Sequence, residues 1–240
     1  MLTLRGVSCV RGTGAESFTV AVGELVISRG ETVAITGSSG SGKSTLLEML
    51  ALVLRPTVGE RFAWEAADDA GHTQDIGALW QRDAFRELAR MRARNIGFVL
   101  QTGGLLPYLD VQSNIEMSRR ISQRAWRRNA IPQLVEALGL SHLTRKMPHQ
   151  LSVGERQRVS IARAMAHEPD LLLADEPTAA LDPQLADQVI SLMLELVARM
   201  ETAAVIVTHD HERVRARVDH EFSAVPMTGS ERGSCFGMPC

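Results

Sequence analysis

The sequence predicts an α/β fold with a mostly parallel sheet, an N-terminal antiparallel β subdomain and an inserted α-helical subdomain. Three observations point there. Short apolar runs at Thr32–Thr36, Ile96–Leu100, Leu171–Ala174 and Ala203–Thr208 read as buried strands, the first of them β-branched. Helical patterns, with apolar residues three and four positions apart, alternate with those runs. Residues 1–30 instead show strand-like alternation at Leu2, Leu4, Phe18, Val20 and Val22, with turn signals at Gly12 and Gly14.

In chain order, the strand at Thr32–Thr36 runs into a glycine-rich stretch. A helix follows from Lys43 to Leu54, with Leu46, Leu47, Leu50 and Leu54 on one side and Pro56 beyond its end. Residues 57–82, rich in Gly, Asp and Ala, read as loop and strand. Asp83–Arg94 is an amphipathic helix. Residues 113–147 are mostly helical, punctuated by Asn129, Pro132 and Gly139, and helix signals return over Glu155–Ala166. Gln184–Met200 is a helix with Leu185, Val189, Leu192 and Leu196 on one face. One domain over residues 1–225 is expected, with the helical block at about 102–165 inserted. The tail at 226–240, rich in Gly, Ser and Pro, is expected to be poorly ordered.

Composition narrows the function. The 240 residues carry 26 basic and 28 acidic side chains, a balance that argues against a chain built around the nucleic-acid backbone. Three irregularly spaced cysteines, Cys9, Cys235 and Cys240, form neither a disulfide framework nor a zinc pattern, and suit a reducing compartment. The N-terminus has no apolar signal-peptide core, and no apolar run is long enough to cross a bilayer. Nearly all the basic residues are arginine; only Lys43 and Lys146 are lysine.

The chemistry starts at Gly37-Ser38-Ser39-Gly40-Ser41-Gly42-Lys43-Ser44, a complete G-x-x-x-x-G-K-[ST] motif between a strand and a helix. Glycines let the backbone turn and aim N–H groups at phosphate oxygens, and the helix start adds the positive end of its dipole. Lys43 is expected to reach the β- and γ-phosphates of ATP and Ser44 to ligate Mg²⁺, with Thr45 completing the loop. Lysine here, in a chain that otherwise uses arginine, fits a compact ammonium within a backbone nest. The fold is therefore a P-loop NTPase core. A second acidic cluster ends the apolar run Leu171–Ala174. Asp175 is placed to hold Mg²⁺ and Glu176 to polarise an attacking water.

With these residues in view, the chain resembles the ATP-binding cassette ATPases from about Leu2 to Asp210. Gln101 matches the family's Q-loop glutamine, which touches Mg²⁺ and the water. Leu151-Ser152-Val153-Gly154-Glu155-Arg156-Gln157 is similar to the LSGGQ signature, Asp182 matches the D-loop and His209 the switch histidine. The resemblance implies a homodimer that sandwiches two ATP molecules head to tail, with Ser152, Gly154 and Glu155 of one copy facing nucleotide held by the other. Val153 departs from the signature, and its β-branch restricts the backbone. The adenine-stacking aromatic is also missing, with Val10 and Arg11 at its place; Arg11, through its guanidinium, or Phe18 are the alternatives, and the sequence assigns the role to neither.

A narrower resemblance rests on Asn95–Gln101, Leu105-Leu106-Pro107, Val111, Asn114-Ile115, Gly154–Arg158 and Leu173–Thr178. It points to the ATPase subunits of lipoprotein-releasing, macrolide-efflux and cell-division complexes. It implies a peripheral subunit at the cytoplasmic face of the cell membrane, contacting an integral permease through Gln101–Ile115, with no nucleic-acid partner. The apolar loop Leu105–Leu109 either receives that permease or packs within the helical block. Arg119, Arg120, Arg124, Arg127 and Arg128 read as a solvated helix face, with Trp126 a packing residue. Soluble relatives acting on DNA or the ribosome are the alternative, but no sustained heptads and only one cassette are present. A scaffold with weak ATPase stays open because of Val153, against Glu176 and His209.

Overall fold

The computed structural model describes residues 2–65, 72–123, 130–227 and 232–237. In chain order the elements are β1 (Leu2–Arg11), β2 (Phe18–Ile27), β3 (Thr32–Thr36), α1 (Lys43–Leu50), β4 (Arg61–Glu65), β5 (Thr73–Asp75), α2 (Ile76–Gln81) and α3 (Phe85–Asn95). Then come β6 (Ile96–Val99), α4 (Val111–Ser122), α5 (Ala130–Ala137), α6 (Val153–Met165), β7 (Leu171–Asp175) and α7 (Pro183–Arg199). The chain closes with β8 (Ala203–Thr208), α8 (His211–Arg215), β9 (His220–Ser223), β10 (Val225–Pro226) and β11 (Gly233–Phe236). Two compact units result, Met1–Ala89 with Val205–Cys240, and Arg90–Ala204. The helical block expected at 102–165 lies inside the second unit.

The first unit contains a six-stranded sheet in the order β10-β11-β2-β1-β4-β5. β1 and β2 pair antiparallel from Leu2↔Ile27 to Arg11↔Phe18, and β4 pairs antiparallel with β1. Along β1 the buried set changes from Leu2 and Leu4 to Val7 and Cys9. The switch falls at Gly6, whose φ of 55° breaks the two-residue alternation. β3 pairs in parallel with β9, with Val33 opposite His220 and Thr36 opposite Ser223. Asp219 pins the start of β9 by accepting from the Thr32 N–H at 2.8 Å and the Thr32 hydroxyl at 2.7 Å.

In the second unit β6 and β7 are parallel, from Ile96↔Leu171 to Val99↔Ala174. All of Leu171–Ala174 is buried, as a strand covered on both faces requires. Three of the unit's helices begin on side-chain caps that satisfy otherwise unpaired N–H groups. Asp110 accepts from Ser113 N ahead of α4, Ser152 from Glu155 N ahead of α6, and Asp182 from Leu185 N ahead of α7. α6 lies close over β6: a Cβ at Gly97 would stand 2.3 Å from the Ala164 carbonyl oxygen.

Several expectations change. The tail expected to be disordered from residue 226 contributes β11, which runs parallel to β2 with Cys235 and Phe236 buried. Cys235 is disulfide-bonded and Cys9 is a free thiol, against the reading of an all-reduced set. Residues 57–82 contain the helix α2, started by Asp75, which accepts from Ala78 N at 2.9 Å. The first helix stops at Leu50, short of Leu54. The buried stripe of α7 is Ala186, Val189, Ile190, Met193, Leu196 and Val197, without Leu185 or Leu192. Arg119 is buried, so the arginine cluster is not uniformly solvated, while Arg120 pairs with Glu116 at 2.9 Å. Arg124, Trp126, Arg127 and Arg128 lie outside the described residues.

Gly97→Ala drives a methyl group into backbone that cannot move aside. It is expected to cost about 1–3 kcal/mol of stability, read as a lower urea midpoint at unchanged slope; an unchanged midpoint would contradict the close approach of α6 to β6.

Candidate nucleotide and signature sites

The loop Gly37–Gly42 links β3 to α1. Gly42 is the residue before the helix and has φ 86°. A Cβ there would meet Val20 Cγ2 at 2.4 Å and Phe18 Cε1 at 3.3 Å, so glycine is required both for the backbone turn and for space. Ser38, Ser39, Gly40 and Ser44 are exposed and Thr45 is half-buried. Lys43 is only 6% exposed. Its ammonium donates to the Gly37 and Ser38 carbonyls, both at 2.8 Å, so the loop's own backbone solvates the charge. Ser41 Oγ is buried without a hydrogen-bond partner among the described residues. An orphaned hydroxyl beside a sunken ammonium and an exposed, glycine-turned backbone suits a polyanionic phosphate chain.

Beside this loop lies a cavity of about 600 Å³ lined by Thr36, Gly37, Ser38, His209, His211, Arg215, Glu221 and Ser223. The sequence-predicted His209 thus shares a pocket with the phosphate loop. It follows β8 and is held between fixed neighbours. Asp210 N donates to Thr208 Oγ1 at 3.0 Å, and Asp210 caps α8 and pairs with Arg213 at 2.7 Å. Sequence reasoning missed the floor of the pocket. The Thr36 hydroxyl lies 3.0 Å from Glu221 Oε1 and 2.9 Å from Ser223 Oγ, and Arg215 reaches Glu221 at 3.8 Å. Only the register of β3 against β9 brings these distant positions together.

In the second unit, the parallel register of β6 and β7 brings Gln101 and the Asp175–Glu176 pair to the same ends of neighbouring strands. The carboxyl ends of parallel strands are where α/β proteins place ligands. Gln101 is exposed, and Asp175 and Glu176 are half-buried. Glu176 has φ 44°, in the left-handed region, directly ahead of Pro177. A non-glycine residue held there stores backbone strain of about 1–3 kcal/mol, a feature that concentrates at functional sites.

The signature segment starts α6. Ser152 Oγ accepts from Glu155 N at 3.2 Å, and Glu155 Oε2 accepts from Ser152 N at 2.6 Å, a reciprocal capping box. The Ser152 backbone N–H, then its side chain, hold the Glu155 carboxyl below the usual carboxylate range. Ser152 is exposed and its hydroxyl hydrogen is left to donate. Val153 is the first helical residue and 43% exposed. Its backbone is helical, so what distinguishes it from the expected glycine is an apolar side chain on the surface. Gly154 is buried, and a Cβ there would meet Leu185 Cδ2 at 2.5 Å. Asp182 is exposed and caps α7.

Two residues hold the loop after Gln101: Asn114, read in the sequence only as part of the resemblance, and Arg163, which sequence reasoning did not single out. Asn114, fully buried, accepts from Leu106 N at 2.8 Å and donates to the Leu106, Leu109 and Asp110 carbonyls at 2.9–3.1 Å. Arg163 on α6 donates to the Gly104 and Gly103 carbonyls at 2.6 and 2.9 Å. The loop in between keeps Leu105, Leu106 and Leu109 half-buried and leaves Tyr108 71% exposed. Near the phosphate loop, Arg11 pairs with Glu48 at 3.6 Å, whereas Phe18 abuts Gly42.

A phosphate loop, an acid pair ending a parallel strand and a capped signature helix define a nucleotide-hydrolysing cassette, and comparison with known proteins agrees. The chain belongs to the ABC transporter family, whose description matches residues 23–179. It is an ABC ATPase that uses ATP. Among its relatives, the lipoprotein-releasing system ATP-binding protein LolD of Idiomarina loihiensis is 40% identical over 189 residues, 78% of either chain. The uncharacterized ABC transporter ATP-binding protein YbbA of Escherichia coli K12 is 38% identical over 213 residues, 87% of either chain. The macrolide export ATP-binding/permease protein MacB 2 of Aeromonas hydrophila is 39% identical over 88% of this chain and 31% of its own length. A dimeric post-hydrolysis structure of the ATP-binding cassette MJ0796 bound to ADP and Pi superposes with a TM-score of 0.76. It is 31% identical and covers 93% of this chain and 94% of the other.

Gly42→Ala forces a side chain into Val20 at a left-handed position. ATP affinity is expected to fall by roughly tenfold or more, measured by fluorescent-nucleotide titration on protein shown to be folded by circular dichroism. An unchanged affinity would remove the loop from the binding role.

Proposed function

We propose that the chain is the ATPase subunit of a membrane complex of the lipoprotein-releasing and macrolide-efflux kind, working as an ATP-closed homodimer at the cytoplasmic face of the cell membrane. The observation that carries this reading is the start of α6. Ser152 faces solvent with a hydroxyl that accepts within its own cap and keeps its hydrogen for an outside acceptor. A helix start with free donors suits phosphate, and in a head-to-tail dimer that phosphate is held by the second copy. Two kinds of relative, LolD and MacB, carry lipoprotein release and macrolide export in their names. Among the described residues no helix is long and apolar enough to cross a membrane, so attachment through a partner subunit fits.

The residues then take these roles. Gly37, Ser38, Ser39, Gly40, Ser41, Gly42, Lys43, Ser44 and Thr45 hold the phosphates. Phe18, whose ring abuts Gly42, would take the adenine, with Arg11, paired with Glu48, the alternative. Ser44, Asp175 and Gln101 present oxygen donors, the set that Mg²⁺ prefers. Bound Mg²⁺ supplies charge neutralisation on the transferred phosphate. Glu176 orients and polarises the water, and His209 contacts the γ-phosphate. Ser152, Gly154 and Glu155 complete the partner copy's site, with Glu155 acting by fixing Ser152. Asp182 lies at the same dimer face. Gln101–Ile115 meets the permease, with Tyr108 the most exposed side chain of its apolar loop.

Glu176→Gln should lower turnover by about a hundredfold or more, keep ATP binding, and accumulate a dimer visible by size-exclusion chromatography. Ser152→Arg in the same background should return it to monomer. A dimer that persists in the double variant argues against the head-to-tail arrangement.

Paired Leu106→Glu and Tyr108→Glu substitutions should shift the chain from the membrane pellet to the soluble fraction while ATP binding stays within about twofold. Retention on the membrane would move the contact to another surface.

A further inference from the structure

We infer that Arg163 is a positioning residue that makes the loop Gln101–Leu109 and the signature helix α6 move as one body. The guanidinium is buried, and it sits in the last turn of the helix that begins at Ser152. It donates two hydrogen bonds to backbone carbonyls of the loop, Gly104 at 2.6 Å and Gly103 at 2.9 Å. Burial lowers its pKa, and among the described residues no carboxylate acts on it in the other direction. A charged fork with two carbonyl acceptors makes short, charge-assisted bonds that a neutral side chain does not replace.

The loop is shaped to receive this fork. Gly103 and Gly104 both have positive φ, 74° and 56°. A Cβ at Gly104 would meet Leu100 Cδ1 at 2.6 Å and Arg163 Nη2 at 3.5 Å. One at Gly103 would approach Gln157 and Ser160 of the same helix. Gln157 Nε2 and Ser160 Oγ are buried without a hydrogen-bond partner among the described residues. Among the described residues, Arg163 therefore supplies the side-chain hydrogen bonds between this loop and α6, while those two neighbouring atoms make none. At its far end Asn114 fixes the loop on both sides of Tyr108, at Leu106 and at Leu109, and the Tyr108 side chain is left exposed. A displacement applied at Tyr108 has a stiff route to α6, and along α6 to Ser152. Coupling of this kind needs a packed, hydrogen-bonded connection between the two places. Its meaning for transport rests on the proposed permease contact of Gln101–Ile115; the tie itself does not.

Amide hydrogen exchange on the full chain tests it, with Arg163→Met and Arg163→Lys compared with the unsubstituted protein. In Arg163→Met, exchange over residues 101–109 should quicken by about tenfold while α5 is unchanged. The kcat for ATP should fall by about fivefold or more with KM held within about twofold. Arg163→Lys, which keeps the charge but not the fork, should recover part of both. Unchanged loop exchange, or quicker loop exchange with unchanged kcat, overturns the inference. So does a parallel change in KM, kcat and α5 exchange, the mark of a merely structural residue. Should Arg163→Met fail to fold, the unsubstituted protein still decides: on addition of ATP, protection over 101–109 and 152–157 should change together, and a change in one alone overturns the tie. Loss of membrane binding plays no part in these readouts, so failure of the permease contact is seen separately.

Discussion

The turn from β3 into α1 sets the terms for the first unit. A loop that wraps phosphate has to expose backbone, hide little side chain, and keep a cation close without letting it dissolve away. Gly42 meets the first demand, with its left-handed backbone wedged against Val20. Lys43 meets the last, its ammonium solvated by the Gly37 and Ser38 carbonyls. Gly37 is constrained as well, since a Cβ there would crowd Ala224 and Ser41. The loop therefore depends on β9 and β2 being in register with the strands beside them, and the sheet and the loop specify each other.

The second unit answers a different demand, to carry groups that act at a distance from their own loop. Parallel pairing of β6 with β7 sets Gln101 and the Asp175–Glu176 pair at neighbouring strand ends. The strain at Glu176 shows that the backbone there is held by its surroundings rather than by preference. α6 does two things at once: its start offers Ser152, and its last turn grips the loop after Gln101. Those two ends are joined by a rigid rod of hydrogen-bonded backbone.

Much of this was legible because the motifs are local. A strand, six loop residues and a helix start appear as one short word around Gly37–Ser44, and an apolar run ending in Asp175-Glu176 is nearly as compact. The caps at Asp110, Ser152 and Asp182 also follow from neighbouring residues. What escaped depends on pairing across the chain. The Thr36–Glu221 bond joins positions 185 apart, and nothing near either residue announces the other. Arg163 looked like one more arginine in an arginine-rich chain, and its burial appears only once the loop folds over it. The stripe of α7 was misread because Leu185 and Leu192 have the right spacing for a face that packing did not choose. Gly77 and a polar setting hid α2, although Asp75 is an ordinary helix cap.

The short strand β11 has a consequence for how the protein is made. It covers the outer edge of β2, yet it leaves the ribosome long after β2 does. Until β11 emerges, β2 presents unpaired backbone to whatever else is nearby, the condition under which strands of neighbouring chains add to one another. The edge closes in parallel fashion, only after the rest of the sheet exists. Newborn chains are thus exposed to mutual association for as long as β11 has yet to emerge.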